Sequence, residues 1–357
     1  MTMRRIPAEA LEAMARATLK ALGSNDDEAD AVAAHLVGAN LAGHDSHGVG
    51  MLPDYVRLVR DGLAVPNQEL AVLADLPGLV HCDAKRGLGQ RMARDALHLG
   101  AARAREAGAC VVALKNSSHV GRIGHYVEAL AAEGFASVHF VNVADHRALQ
   151  APYACGDARL GTNPFAAGLP AEGAPVVLDM ATSAIAYGKA RVARNRGDAV
   201  PEGALIDAAG RPTRDPVPLV DLQEGAIRAF GGHKGSGLAI VCELLGAALT
   251  GGLTLQPDHP RQGGIVNSML SVVIRAAALG DPAALGHEAA AVRSWIKASP
   301  PAAGFDEVLV PGEPEARVRA ERRRDGVPLD PKSLADILDA ARDAGADGES
   351  LRALTES

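Results

Sequence analysis

The feature that most constrains this chain is the order in which two hydrophobic periodicities follow one another. From Gly89 to Gly108 an Ala- and Arg-rich stretch carries apolar residues at helical spacing, and directly after it Ala109 to Leu114 is a short apolar run suited to a buried strand. The same order recurs, with helical spacing from Tyr126 to Glu133, a break at Gly134, and the strand-like run Ala136 to Val141. Helices that feed buried strands in this way predict an α/β protein. Upstream, Ala8 to Leu41 predicts a helix pair whose second member is entered through the polar loop Ser24 to Glu28. A third helix is expected after Pro53, through Tyr55, Leu58 and Val59 to Gly62, and Pro66-Asn67 marks a break suited to a domain crossover.

The rest of the chain is read by the same signals. Leu70 to Val80 and Val176 to Leu178 are expected as strands, Ser236 to Thr250 as a buried helix ended by Gly251-Gly252, and Pro331 to Leu354 as a closing helix. Between Asp145 and Gly173, the residues Pro152, Gly156, Gly161, Pro164, Gly168 and Pro170 stand too close together for long elements, and so long a loop in a compact protein is usually functional. Pro311 to Leu329 is highly charged, and no internal repeat is visible.

A chain of 357 residues exceeds the usual size of one domain, so at least two packed units are expected. A net charge of -7 argues against a general nucleic-acid binder, which needs a basic face. Cys82, Cys110, Cys155 and Cys242 show neither close pairing nor metal-type spacing, which predicts free thiols in a reducing compartment and no metal site. The first residues, Met1 to Pro7, lead into an amphipathic stretch rather than an apolar signal core, and Glu243 interrupts the best membrane-span candidate, Gly237 to Leu249. A cytoplasmic protein without membrane association is the expectation.

The glycine fingerprint that lets a backbone turn approach a dinucleotide pyrophosphate is absent. Met92 stands where Gly87-Leu88-Gly89 would need its third glycine, and Ile240 does so after Gly235-Ser236-Gly237. Walker-type and zinc-protease motifs are also missing. Polar chemistry instead sits in glycine-rich turns. Gly43 to Gly48 places His44 and His47 around a carboxylate and a hydroxyl, a set suited to binding a ribose, phosphate or carboxylate; the plain alternative is a helix-terminating turn with solvated histidines. Asn116 to Tyr126 follows the expected strand, so His119 lies at a strand's carboxyl end with a pKa range suited to protonating an alkoxide, and Arg122 could grip an anion beside it. A hydrogen-bonded structural histidine is the competing reading of His119. Thr162 in Gly161 to Pro164, and the run Asp179 to Ser183, offer hydroxyls, amides and a carboxylate to a ribose or a nicotinamide amide, or else are turn and cap chemistry. His233-Lys234-Gly235 ahead of a helix could hold a phosphate or carboxylate, while Leu238 to Leu249 reads most simply as core.

In order, Ala42 to Met51, Gly121 to Gly124, Thr182 to Ala186 and Pro311-Gly312-Glu313 resemble the malate/L-lactate dehydrogenase-like oxidoreductase family over nearly the whole chain, a family unrelated in fold to the familiar Rossmann lactate and malate dehydrogenases. The resemblance implies a mixed, largely antiparallel sheet in the cofactor domain and a helical unit made from both chain ends. It places 1–67 with 305–357 in the helical domain, 68–125 with 264–304 in a central α/β domain, and 126–263 in an NAD(P)-binding domain. It also implies a homodimer that binds NAD or NADP near His47, Gly121, Arg122, Ile123, Leu178, Asp179, Met180, Ala181, Thr182, His233, Lys234, Asn267, Gly312 and Glu313. His119 matches the family's proton donor and acceptor, with His47 beside it. His44, Tyr55, Arg122 and Thr162 are expected around a 2-oxo or 2-hydroxy acid of 2-oxoglutarate or aryl-pyruvate type. Many members carry an arginine at the position of Met51, thought to contact the substrate carboxylate; its replacement leaves that contact to another group. Two other readings compete, a reductase of cyclic imine carboxylates and a non-catalytic dinucleotide-binding protein that kept the fold.

Overall fold

The computed structural model describes residues 3–355, so positions 1–2 and 356–357, the outermost limits of the expected helical domain, lie outside the described residues. Its centre is a seven-stranded sheet built from β1 (Ala71–Leu76), β2 (Leu79–Asp83), β3 (Ala109–Ser117), β4 (Phe135–Ala144), β5 (Phe165–Leu169), β6 (Val176–Met180) and β7 (Val266–Arg275). The strand order is β1-β2-β3-β7-β4-β5-β6. Only β2 and β3 pair in parallel; every other neighbouring pair is antiparallel, which bears out the mixed, largely antiparallel sheet.

Helix α1 (Ala8–Ala21), α2 (Asp26–Leu41) and α3 (Leu52–Arg60) pack with two helices from the other end of the chain, α10 (Pro331–Ala344) and α11 (Gly348–Leu354), around Leu11, Leu36, Tyr55, Leu58, Ile337 and Leu351. The chain ends are also joined by pairing of the short strand Arg4–Ile6 with Val327–Leu329. α4 (Gly89–Ala107) and α5 (Gly124–Ala132) cover one face of the sheet, where Met92, Leu97, Leu114, Val127 and Met269 form a second core. α4 approaches closely because Gly100 faces Val112, whose Cγ2 would overlap a Cβ there. A small four-stranded sheet from Gln150–Ala151, Leu205–Ile206, Pro212–Thr213 and Ala226–Arg228 sits beside α6 (Tyr187–Arg196).

Three expectations need correction. Asp145 to Gly173 is not all loop: Phe165–Leu169 forms β5 between β4 and β6, where Gly168 can press against the Val176 carbonyl and the Val127 side chain, contacts that leave no room for a Cβ. The closing helix is two, because Gly345 takes a left-handed conformation (φ 99) after Ala344. The helix expected from Ser236 begins at His233 as α7 (His233–Glu243), continues as a π-helical segment Leu244–Ala248, and is not all core. Ala239, Cys242 and Ala247 face inward, but Ile240, Val241, Leu244 and Leu249 are 43%, 40%, 53% and 66% exposed, because only one side of the helix meets the sheet. The charged stretch after Pro311 holds α9 (Glu313–Asp325), and α8 (Pro282–Lys297) precedes it.

Candidate active site

His119 lies two residues past the carboxyl end of β3 and is 7% exposed. Its Nε2 lies 3.1 Å from Nδ1 of His47, and its Nδ1 lies 2.7 Å from the Tyr55 hydroxyl on α3. The two imidazoles stack, with centroids 5.2 Å apart and 13° between planes. Gln90, in the first turn of α4, donates from Nε2 to the Tyr55 oxygen. With Gln90 donating to that oxygen, a Tyr55 proton directed at His119 Nδ1 places the neutral imidazole's own proton on Nε2, toward His47. Burial pushes His119 down to about 3, with the neighbouring His47 adding to the shift. Burial also lowers His47, against the pull of the Asp179 carboxylate, and raises the Tyr55 phenol.

The segments that carry these groups are each fixed from behind. Asp45 in the His47 turn accepts from Asn40 Nδ2 at 2.7 Å and from Arg322 at 2.6 and 3.0 Å, while Asn40 Oδ1 accepts the Val49 N–H at 2.8 Å. After His119, the Val120 N–H donates to Asn267 Oδ1 at 2.9 Å and the Val120 carbonyl accepts from the Tyr126 hydroxyl at 2.6 Å. Gly121 has φ 76 and stands where a Cβ would overlap His35 Nε2, which accepts the Arg122 N–H at 2.9 Å. A glycine is required there by both backbone and space. Arg122 is 2% exposed and lies between two carboxylates, Glu128 at 2.9 Å and Asp179 at 3.3 Å, so its charge holds α5 to β6.

β6 is the spine of the adjoining wall. It is an edge strand, so its outer row of backbone groups has no strand partner. Gly312 (φ 93) packs against Val177 at its start, and Glu313 is bound to Lys297 Nζ at 2.6 Å. Asp179 accepts the Gly124 N–H at 2.9 Å. Just past the strand, the Thr182 N–H and hydroxyl both donate to the Thr162 carbonyl at 2.9 Å, and the Phe230 N–H donates to the Thr182 carbonyl at 3.0 Å. Phe230 leads through Gly231 and Gly232 (φ 55 and 62) into α7, where His233 and Lys234 are exposed. Two open depressions adjoin that turn, one lined by Pro152, Tyr153 and Arg228, the other by Ile185, Gly203 and Phe230, and both reach Gly232. Neither is lined by His119.

The structure thus brings His47, Tyr55, His119, Gly121, Arg122, Ile123, Asp179 and Asn267 into one group. Leu178, Met180, Ala181, Thr182 and Thr162 continue it along β6, Gly312 and Glu313 flank the strand's start, and His44 joins from the side through Glu315, 3.3 Å from its Nε2. His233 and Lys234 lie at the far end. Sequence reasoning missed Gln90, His35, Asn40 and Gln150, whose buried Nε2 has no partner although its Oε1 is 3.3 Å from the Thr182 hydroxyl. Gln90 adjoins the failed fingerprint Gly87-Leu88-Gly89, and nothing in its neighbourhood in sequence marks it as polar machinery.

A family model described as malate/L-lactate dehydrogenase matches residues 6–338. The chain belongs to the malate/L-lactate dehydrogenase family. It is 41% identical to hydroxycarboxylate dehydrogenase B of Escherichia coli (strain K12) over 99% of this chain and 98% of that one. A Delta(1)-pyrroline-2-carboxylate/Delta(1)-piperideine-2-carboxylate reductase of Pseudomonas putida is 38% identical over 70% of this chain and 72% of its own. A solved structure from E. coli superposes with a TM-score of 0.94 at 41% identity, covering 99% of each chain. Membership in this malate/L-lactate dehydrogenase family bears out the resemblance read from the four motifs and explains the missing Rossmann fingerprint. The residues present also suit a nicotinamide dinucleotide: an open strand edge and the unpaired Gln150 amide for a carboxamide, hydroxyls for a ribose, and the exposed Lys234 at a helix N-terminus for a phosphate.

Proposed function

We propose that the protein is an NAD(P)-dependent oxidoreductase that interconverts 2-oxo and 2-hydroxy acids of the 2-oxoglutarate or aryl-pyruvate type, with His119 as the proton donor and acceptor. The observation that carries this reading is a buried imidazole held by Tyr55 and His47 next to the open edge of β6. The nicotinamide, when bound, supplies or takes the hydride at the substrate's carbonyl carbon. His119 Nε2 gives a proton to the oxygen in reduction and takes it back in oxidation. Burial keeps the free imidazole neutral, and the negative charge of a bound carboxylate and a developing alkoxide is what favours the imidazolium.

Leu178 to Thr182, with His47, Gly121, Arg122, Ile123, Asn267, Gly312 and Glu313, would form the cofactor wall, His233 and Lys234 its phosphate end, and His44, Tyr55, Thr162 and again Arg122 the substrate side. The domain division at 67, 125, 263 and 304 goes with this reading, the cofactor lying along a sheet whose strands fall on both sides of the limits at 125 and 263. The outer face of α7 and of the segment that continues it, with Ile240, Val241, Leu244 and Leu249 exposed, supports a homodimer, since an apolar helix face of this kind is covered by a second copy at modest cost. Buried thiols at Cys82, Cys110 and Cys242 suit a reducing cytoplasm.

Reduction of cyclic imine carboxylates is the second reading, favoured by the similarity to the P. putida reductase, because an imine carbon beside a carboxylate accepts hydride in the same geometry. The test is oxidation of NADH and of NADPH, followed by absorbance, against 2-oxoglutarate, phenylpyruvate and cyclic imine carboxylates. Turnover of the open-chain acids supports the first reading and assigns the cofactor; turnover of the imines alone overturns it in favour of the second.

A further inference from the structure

Gln90 is 2% exposed, and its side chain presents an inconsistency with functional content. Its Nε2 donates to the Tyr55 oxygen, while its Oε1 is buried with no partner. A buried amide oxygen without a donor is costly, and a surrounding of this kind tends to be retained for a reason. The same helix start is pressed against the catalytic loop, since a Cβ on Gly89 would lie 2.5 Å from the His119 carbonyl carbon. Gln90 therefore holds a set position relative to both Tyr55 and His119.

We propose that Gln90 is a positioning residue whose amide turns over to let Tyr55 serve both protonation states of His119, acting as donor when His119 Nδ1 is bare and as acceptor when Nδ1 carries a proton. The inference rests on the acid–base role assigned to His119 above. In the first arrangement Gln90 donates to Tyr55 as the structure has it, Tyr55 donates to Nδ1, and the imidazole proton is on Nε2. That imidazole cannot take a proton from an alcohol at Nε2. To do so it must carry its proton on Nδ1 and donate it to the Tyr55 oxygen. Tyr55 then needs an acceptor for its own proton, and the unpartnered Gln90 Oε1 is the atom that a half-turn of the amide would bring there. In reduction the same arrangement holds the imidazolium: Nε2 loses its proton to the substrate oxygen, and Nδ1 keeps the one shared with Tyr55. Between the two neutral arrangements the imidazole exchanges its proton with solvent, one leaving Nε2 as one is taken up at Nδ1, so the proton count is unchanged and Tyr55 is a phenol in both.

The charged and titratable groups that face this relay are His47 against His119, with His44, Asp179 and Arg122 acting on His47, and Asp54 acting on Tyr55. His35 on α2 also feels His119. None of them touches Gln90 Oε1.

The test is a pH titration of 15N-histidine-labelled enzyme by 1H–15N NMR without cofactor, with the His119 signal assigned by its loss in His119→Gln. The wild type is expected to show the Nε2–H tautomer. Gln90→Glu, a permanent acceptor when ionised, is expected to move His119 toward the Nδ1–H tautomer and raise its pKa by about a unit or more. Gln90→Met, which can accept no proton from Tyr55, should leave Nε2–H locked and lower kcat in both directions by roughly 10- to 100-fold with little change in cofactor KM. In a Tyr55→Phe background the move toward the Nδ1–H tautomer should vanish, leaving only the through-space rise in pKa that any nearby carboxylate gives, a coupling that a merely structural role would not produce. The proposal is overturned if Gln90→Glu leaves the His119 tautomer as in wild type, or if its effect on the tautomer survives the loss of the Tyr55 hydroxyl. Should Gln90→Met fail to fold, the glutamate variant and its cycle with Tyr55→Phe decide alone. Full 2-oxo acid turnover by His119→Gln would instead remove the assigned function while leaving the NMR result to judge the relay.

Discussion

Gly89→Ala is the change that most sharply links packing to catalysis in this molecule. A methyl group at this position overlaps the carbonyl oxygens of both Ser118 and His119 and stands 2.5 Å from the His119 carbonyl carbon, a contact with backbone that no rotamer change can relieve. Ordinary carbon contacts lie near 3.5–4 Å, so α4 and the His119 loop must separate by roughly 1 Å. Overpacking of this kind typically costs about 1–3 kcal/mol. At about 2.1 cal/mol/K of unfolding entropy per residue, a chain of 357 residues gains roughly 0.75 kcal/mol per degree, so Tm should fall only about 1–4 °C. The effect on rate should be far larger, because a misplacement near 1 Å in a reacting group costs on the order of 100-fold. Steady-state kinetics with differential scanning calorimetry reads both quantities. Gly78→Ala, with nothing within 4 Å of its added methyl, is the control expected to change neither. Wild-type kcat in a folded Gly89→Ala enzyme would refute the claim that α4 locks the catalytic loop.

Replacing Arg122 with Met leaves the buried Asp179 carboxylate with only the Gly124 N–H, and should lower stability in urea melts by about 3 kcal/mol; an unchanged midpoint would show that the pair contributes nothing. Burial holds His35, His119 and His139 below the ordinary histidine range, so between about pH 6.5 and the lowered native values the unfolded chain binds protons that the native one refuses. Stability should therefore fall as pH drops below about 6.5, by up to about 1.4 kcal/mol per pH unit for each histidine, and urea midpoints that stay level from pH 7.5 to 5 would contradict this. Leu244→Asp places a charge on the exposed face of the π-helical segment after α7 and should turn the proposed dimer into monomers in sedimentation velocity; a variant that sediments as the wild type does would remove that face from the interface.

The alternation of helical and strand periods was enough to place α4, β3, α5 and β4, because each buries one face and so writes its period into the sequence. Strand β5 was hidden, since Gly168 and Pro170 read as loop punctuation while the strand's stability comes from pairing with β4 and β6, which are distant in sequence. α7 was legible as a helix but not as a half-exposed one, for an apolar face that stays exposed has the composition of core. Within the site, His47, His119 and Arg122 stood out as polar residues in glycine-rich turns. Gln90, His35 and Asn40 did not, because each sits on an ordinary helical pattern and its role depends on a contact made across the fold.

The central claim is tested most directly by His119→Ala, assayed for reduction of phenylpyruvate and 2-oxoglutarate with NADH and NADPH, alongside calorimetric titration of cofactor binding. The account predicts a kcat lower by roughly 100-fold or more with cofactor affinity retained. A variant that turns over either acid at the wild-type rate would contradict it.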